Sequence, residues 1–475
     1  MNTIKRNYIF NLAYQVLILI VPLITAPYLS RVLGADKIGE YSFAQSIVSY
    51  FSLVAVLGTS LYGQRTISYE RSRGGNIRKT FLEILSLRIV GTFISTLCYF
   101  LFIVCNVDNK ILYIVAVIEL IAVIFDISWF YQGIEKFQTI TIYNGISKVI
   151  GTCLIFTFVR TKSDLVYYVL FYCGTILLGN ILQWLNLKKV LPNYKKEDLN
   201  IKVHLLPSFA LFVSQLAIQL YTVLDKTMIG LITKSNYENG YYEQSQKLVK
   251  MATTIVTAIG AVMASRIAVL YGEGYEKNKY KIKKLLEFSF RLVFCTSIPI
   301  AVGIRLVASR FVPLFYGNGY DEVIPMLSRL SIIVPIIGCS NIIGIQLFVP
   351  SKRENLLTKS VFVGSCINVI LNIFLIKRYA AMGAIIASVI AEFGVTCVQF
   401  YFAKDEISLK TTTKLFVRYT FFSVVMYYSG KILSSTLDYS VFSMLIIISV
   451  CVIIYATELI VSKDPILTFV FNKET

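Results

Sequence analysis

The chain is expected to fold as an all-α polytopic membrane protein of about fourteen transmembrane helices, and three observations predict this. Apolar stretches long enough to cross a bilayer, which takes roughly 20 residues for a hydrocarbon core about 30 Å thick, fill most of its 475 residues. No segment between them is large enough to fold as a soluble domain. Composition agrees, with 56% hydrophobic residues and a mean hydropathy of +0.68. Strands are disfavoured because a barrel would show short alternating segments, whereas a spanning helix satisfies its own backbone inside lipid.

Taken in order, span 1 (8–30) carries Asn11 and Gln15 one turn apart, then Pro22 and Pro27, and ends at Arg31. The prolines remove backbone donors and predict a bent first helix. Its length and the lack of a small-residue cleavage site argue against a removed signal peptide. Span 2 (40–63) opens on Gly39, Tyr41 and Gln45, and is followed by Arg65, Arg71, Arg73, Arg78 and Lys79 before span 3 (80–105). Spans 4 (111–131) and 5 (138–160) hold Glu119 and Lys148 near mid-depth, where they are expected to meet as an ion pair or serve a substrate. Span 6 (165–186) leads into a basic segment with Lys188, Lys189, Lys195, Lys196 and Lys202.

Spans 7 (206–233) and 8 (241–270) carry polar stripes: Gln215, Gln219, Thr222 and Asp225 or Lys226 on one face of the former, Gln244, Lys247 and Thr254 on the latter, with Lys250 nearby. Span 9 (284–308) follows five lysines between Lys277 and Lys284. Spans 10 (324–349), 11 (356–376) and 12 (380–403) follow, the last with Glu392 at mid-span and no obvious partner, a candidate proton site or neutral carboxyl. Spans 13 (414–436) and 14 (440–462) form a terminal hairpin.

Gly39, Tyr41 and Gln45 recur at the same spacing as Gly240, Tyr242 and Gln246. This weak repeat predicts two pseudo-symmetric six-helix bundles, 1–195 and 196–408, with 409–475 an appended hairpin and tail. Six spans per copy make it a parallel repeat. The polar stripes predict a net cationic central cavity between the bundles, because polar faces in lipid turn inward.

A net charge of +19 would suggest nucleic acid for a soluble protein. Here the position of the charges matters more, and no nucleic-acid partner is expected. Lys and Arg accumulate in alternate loops, which predicts that both termini are cytoplasmic. Glu83, Arg88 and Arg291 lie near helix ends and are expected to snorkel. The nine cysteines form no C-x-x-C pair, and the single histidine, His204, starts neither a metal site nor a triad. Neither a phosphate-binding loop nor a dinucleotide fingerprint occurs. No cofactor or metal is expected, and energy would come from a proton or sodium gradient, the membrane potential or the substrate's own gradient. A cationic chamber suits phosphate or pyrophosphate, and amides and tyrosines suit sugars.

The stretches PYLSRVLGADKIGEYSFAQS (27–46), LGTSLYGQRTISYER (57–71), FDISWFYQGIEKF (125–137), LDKTMIGLITKSNYENGYYEQSQKLVK (224–250) and YGNGYDEVIPML (316–327) together resemble the Wzx-type polysaccharide flippases of the multidrug/oligosaccharidyl-lipid/polysaccharide exporter superfamily. The resemblance covers most of residues 1 to 405. It implies two bundles around a cavity opening alternately to each side of a bacterial inner membrane. The implied cargo is an undecaprenyl-pyrophosphate-linked oligosaccharide repeat unit for O-antigen or capsule, with membrane lipids and the polysaccharide polymerase and chain-length machinery as candidate partners. It further implies Arg31, Lys226, Lys247, Lys250 and Arg329 as anion contacts, Asp225 as a group pairing with or orienting a lysine, and Gln45, Gln215 and Gln219 as sugar contacts. Gly39 and Gly240, at the repeat turns, would be structural.

Fourteen spans exceed the twelve or so usual in that family and resemble the lipid II flippase branch, whose last two helices line a groove for the lipid tail. A cation-coupled drug exporter of the same superfamily is the nearest alternative. It would need a lobe carboxylate, for which Glu119, Asp126 or Glu392 are candidates, since span 1 has amides instead. A membrane glycan polymerase or ligase is disfavoured because no external loop is large enough to host chemistry.

Overall fold

The structure is a computed structural model describing residues 3–106, 110–191 and 199–467. The side chains of 3–16, 18, 19, 214, 217, 218, 220, 221, 259, 261 and 262 lie outside the description, and with them Asn11 and Gln15. All regular structure among the described residues is helical: α1 (Thr3–Val56), α2 (Thr59–Arg73), α3 (Ile77–Asn106), α4 (Lys110–Phe125), α5 (Ser128–Gly133), α6 (Phe137–Phe158), α7 (Leu165–Trp184), α8 (Lys202–Thr233), α9 (Asn236–Gly272), α10 (Tyr275–Tyr316), α11 (Val323–Leu330), α12 (Ile333–Asn341), α13 (Glu354–Phe402), α14 (Leu409–Thr436) and α15 (Val441–Val461), with short 3-10 turns and a π-helical segment, Ile342–Phe348, after α12. Among the described residues, 10 helical stretches are long and apolar enough to cross a membrane. Two of these contain an interior backbone break, at Gly34 and at Ala380. Counted as divided there, and with α8 and α14, they give the fourteen spans.

The first break lies just beyond span 1. Backbone angles stay helical through Pro22 and Pro27, and the chain turns at Gly34 (φ 78, ψ 169), a conformation that glycine reaches without a Cβ clash. The second break is less comfortable. Ala380 adopts φ 48, ψ −133, a region that costs a residue with a side chain about 1–3 kcal/mol. Ala380→Gly is therefore expected to stabilise the chain by about 1 kcal/mol, seen as a higher thermal unfolding midpoint in detergent. An unchanged or lowered midpoint would show that Ala380 is not strained.

The chain divides into two compact units, Met1–Gly230 with Ser235–Gly240, and Leu231–Lys234 with Tyr241–Thr475. The expected boundary at 195 thus falls later, because most of α8 packs into the first unit. A Cβ on Gly58 would sit 2.2 Å from Ser208 O, and Thr227 Oγ1 donates to Ser46 Oγ at 3.0 Å. Gly39 and Gly240 lie inside helices and not at turns. A Cβ on Gly39 would sit 1.7 Å from Asn236 O, and one on Gly240 2.0 Å from Ala35 O. The repeated glycines are there because two backbones touch, as small residues permit between membrane helices.

One end of the first unit is an aromatic core. Trp129, Phe130 and Tyr131 are buried beside Phe81, Ile67 and Tyr62, with the Phe81 and Trp129 rings stacked at 5.5 Å. Gly63 lies flat against Trp129, and Gly133 against Ile67. Two of the motifs that carry the family resemblance, LGTSLYGQ and FDISWFYQG, are packed against each other here. Outside the spans, the turn between α6 and α7 is closed by a capping box in which Asp164 accepts from the Arg160 and Thr161 amides, holding its carboxyl below the ordinary range.

In the second unit, α14 and α15 are integral to the fold and not an appendage. Arg310, buried at 3% exposure, serves the C-terminal end of α14: Nε donates to Ser434 Oγ at 3.0 Å, Nη1 to Asp438 O at 2.6 Å, and Nη2 to Leu437 O at 2.8 Å and to Ser434 O. A guanidinium fork suits such a cluster of unpaired helix carbonyls. At the far end of α15, Asp464 accepts from Tyr419 Oη and the Ile466 amide, and meets Arg418 at 3.1 Å and Arg291 at 3.5 Å. Between them Tyr455 Oη donates to Cys295 O at 2.9 Å.

Candidate functional site

The polar residues predicted from sequence divide between the units. Within the first, Gln45 on α1 and Glu119 on α4 meet: Gln45 Nε2 donates to Glu119 Oε2 at 2.7 Å. This replaces the expected Glu119–Lys148 ion pair, and the reason is geometric. α4 packs against α1, α3 and α7, while Lys148 lies on α6, which packs on α1 and α7. Ser46, next to Gln45, and Tyr50, one turn further on, converge on Thr227 of α8 at 3.0 and 3.1 Å. Asp225 is buried beside them at 5% exposure, and Lys226 is half-buried. Gln215 and Gln219 are partly buried, and Gln215 Oε1 has no hydrogen-bond partner among the described residues. Arg31 is exposed, just before the Gly34 break.

In the second unit Lys247 finds an acid of its own helix: its Nζ lies 3.8 Å from Glu243 Oε1, one turn away. Lys250 is exposed, and its carbonyl accepts from Thr253 and Thr254. Arg329 is exposed at the end of α11, with Nη1 3.3 Å from Pro325 O and 3.7 Å from Met382 Sδ. Glu392 is partly buried on α13. The same unit holds an apolar cavity of about 500 Å³ between α10, α14 and α15, lined by Pro299, Ile300, Val307, Met426, Ile448 and Val452 among others.

A second group of charges lies where snorkelling was expected but is held inside the protein. Glu83 and Arg88 do not snorkel, being 5% and 1% exposed. Arg88 donates to Asp126 O at 2.7 Å, to Asp126 Oδ2 at 3.0 Å and to Ser60 Oγ at 3.0 Å. Asp126 also accepts from the Ser128 amide and hydroxyl and, through its carbonyl, from Trp129 Nε1. Glu83 accepts from the Asn200 amide at 2.7 Å and shares a 2.8 Å hydrogen bond with His204 Nε2, whose Nδ1 is 2.8 Å from Tyr62 Oη. His204 is thus satisfied on both nitrogens and ties the start of α8 to α2 and α3. The partners are 38, 121 and 142 residues apart, so no local pattern could pair them. Arg291 reaches a buried Asp464 in the same way.

A family model described as "Polysaccharide biosynthesis protein" matches residues 4–269. Two proteins named "Putative O-antigen transporter" are similar to the chain. That of Shigella dysenteriae is 24% identical over 378 residues, 78% of this chain and 92% of its own length. That of Escherichia coli K12 is 24% identical over 415 residues, 85% and 97%. Among solved structures, the lipid II flippase MurJ in an inward closed conformation superposes with a TM-score of 0.77 at 18% identity, covering 97% of this chain and 100% of that one. An inward-facing multidrug resistance MATE transporter of the MOP superfamily does so at 0.58 and 12%, covering 84% and 98%. These last two likenesses establish the fold. The chain belongs to the polysaccharide biosynthesis protein family and is built on the fold of the MOP superfamily.

Proposed function

We propose that this protein flips undecaprenyl-pyrophosphate-linked oligosaccharide repeat units across a bacterial inner membrane by alternating access, with both termini in the cytoplasm, to supply surface polysaccharide such as O-antigen or capsule. The observation that carries this reading is the coexistence, in one chain, of cationic and amide side chains on spanning helices with a predominantly apolar cavity under the last two helices. A lipid-linked glycan has these two chemistries. Its sugar hydroxyls would each cost about 1–3 kcal/mol to bury without a partner, whereas its polyprenyl chain gains roughly 0.8 kcal/mol for every CH2 equivalent removed from water. On this reading Arg31, Lys226, Lys247, Lys250 and Arg329 contact the pyrophosphate or acidic sugars, Asp225 orients a lysine, and Gln215 and Gln219 bond sugar hydroxyls. Gln45 acts one step back, through Glu119. The isoprenoid chain would lie along α10, α14 and α15. The names of the two O-antigen transporter relatives support the same cargo class.

The test is deletion of the gene in its host, followed by assays of surface polysaccharide and of the sidedness of lipid-linked repeat units in the inner membrane. The expected result is loss of surface glycan with repeat units trapped in the cytoplasmic leaflet. Trapped lipid II would reassign the cargo to the peptidoglycan precursor. Unchanged glycan with altered drug tolerance would reassign the protein as an exporter.

A further inference from the structure

We propose that Arg305 of α10 and Lys431 of α14 form a binding site for a phosphate carried on a membrane lipid, on an exposed side of the second unit. The site goes beyond the flippase reading, which supplies only its sidedness: with both termini cytoplasmic, these helix ends point to the periplasmic leaflet. Phe294 meets Phe416 at 5.6 Å between ring centroids, a Cβ on Gly430 would sit 2.4 Å from Leu306 Cδ2, and Arg310 Nε reaches Ser434 Oγ at 3.0 Å. Contacts in the same order along both helices mean that α10 and α14 run parallel and in register. Arg305 comes just before Leu306, and Lys431 just after Gly430. At roughly 100° per residue, a step back on one helix and a step forward on its facing parallel neighbour turn both side chains to the same side of the pair, at nearly one level. Val307, a step forward from Leu306, lines the apolar cavity, which therefore lies on the opposite side.

Both side chains are exposed, yet both lie within spans, and no acid answers them. Helix α14 contains no Asp or Glu, and α10 has none after Glu287. On α15 the only acid is Glu458, near the far end, while Asp438, in the turn after α14, gives its carbonyl to Arg310. The contrast with Arg310 matters. That guanidinium is buried and spends its donors on the end of α14, whereas Arg305 and Lys431 face outward with theirs unspent. A single cation at such a depth snorkels to water or to any headgroup. Two on one face repel each other across a low-dielectric surface, and a phosphate between them removes that cost. A guanidinium offers phosphate a planar pair of donors and an ammonium a point charge. Ser309, one turn after Arg305, adds an exposed hydroxyl on the same side. Two and four turns below Lys431, Val424 and Val417 are exposed on its own face, a dry track for the chain that the phosphate carries.

The measurement is native mass spectrometry of the detergent-purified full chain, titrated in turn with dioleoyl phosphatidylglycerol, dioleoyl phosphatidylcholine and farnesyl phosphate. The wild type is expected to hold the anionic probes in preference to phosphatidylcholine. Arg305→Gln combined with Lys431→Gln is expected to bind them about tenfold or more weaker, through loss of two charge-assisted contacts. Arg305→Lys combined with Lys431→Arg keeps both charges and is expected to stay near wild type. Lys404→Gln combined with Lys410→Gln, which removes exposed charges at the other end of the same unit, is expected to change nothing. Should the first pair not express, each single Gln variant carries the test with a smaller loss in the same direction. Tighter binding of phosphatidylglycerol assigns the site to a phospholipid, tighter binding of farnesyl phosphate to an isoprenoid phosphate, and either supports it. Equal binding by wild type and the Arg305, Lys431 Gln pair, equal weakening in either control pair, or no preference over phosphatidylcholine would overturn it. Because no transport is measured, failure of the flippase reading would leave these outcomes unchanged.

Discussion

A variant carrying Lys226→Gln, Lys247→Gln and Lys250→Gln is expected to insert at the wild-type level and yet restore no surface glycan to the deletion host. Each charge-assisted hydrogen bond to a pyrophosphate oxygen contributes about 1.5–3 kcal/mol. Losing two of the three already corresponds to a weakening of roughly a hundredfold or more. Insertion should survive because none of these side chains is deeply buried: Lys250 is exposed, Lys226 and Lys247 are partly so, and the acid near Lys247 is a single carboxylate at 3.8 Å on the same helix. Quantified membrane protein and surface glycan from the same cells decide it. Normal glycan at normal protein level would remove these lysines from the transport path and return them to ordinary interfacial positions. Loss of the protein itself would show that Lys247 and Glu243 matter for folding, and single substitutions would then carry the test.

Arg88→Leu is expected to be the most damaging single substitution in the first unit. It removes three hydrogen bonds at once, to Asp126 O, Asp126 Oδ2 and Ser60 Oγ, and leaves a carboxylate without its cation. Breaking a buried pair in this way costs about 3–5 kcal/mol. The chain has only two tryptophans, and both report on this site. Trp129 Nε1 donates to Asp126 O at 3.1 Å, and Trp184 Nε1 to Phe125 O at 2.8 Å. Thermal unfolding followed by tryptophan emission should therefore show both a lower midpoint and a changed folded-state spectrum. Arg88→Lys should recover only part of the loss, since an ammonium cannot reach a carbonyl, a carboxylate and a hydroxyl from one planar fork. A wild-type midpoint for Arg88→Leu would mean that the cluster is dispensable for stability.

The contrast between these two experiments follows how the charges are held. Arg88, Glu83, Arg310 and Asp464 are buried with several partners each and behave as fastenings. The lysines of α8 and α9 are exposed or partly so, which is what a group meeting a mobile, charged cargo requires. Glu119 lies between these classes, partly buried and bonded to the Gln45 amide.

What the sequence determined by itself was the class of molecule. Length and apolarity of segments decide membrane insertion locally, so fourteen spans, their order and the all-helical fold were legible without any partner being known. So was the family, because motifs such as FDISWFYQG are contiguous. The residue types needed for an anionic, sugar-bearing cargo could likewise be picked out along α8 and α9 from helical spacing alone.

Tertiary structure decided everything that depends on a partner far away in the chain. Sequence spacing suggested Lys148 for Glu119, while packing supplied Gln45, 74 residues away. Proximity to helix ends suggested snorkelling for Arg88 and Glu83, while α4 and α8 brought Asp126 and His204 to them inside the protein. The repeated glycines announced a turn, yet the fold uses them where α1 and α9 touch backbone to backbone. The physical reason is the same each time. Transfer of a segment into lipid is a sum over its own residues, whereas the state of a charge within it depends on the few groups that three-dimensional packing places within hydrogen-bond reach.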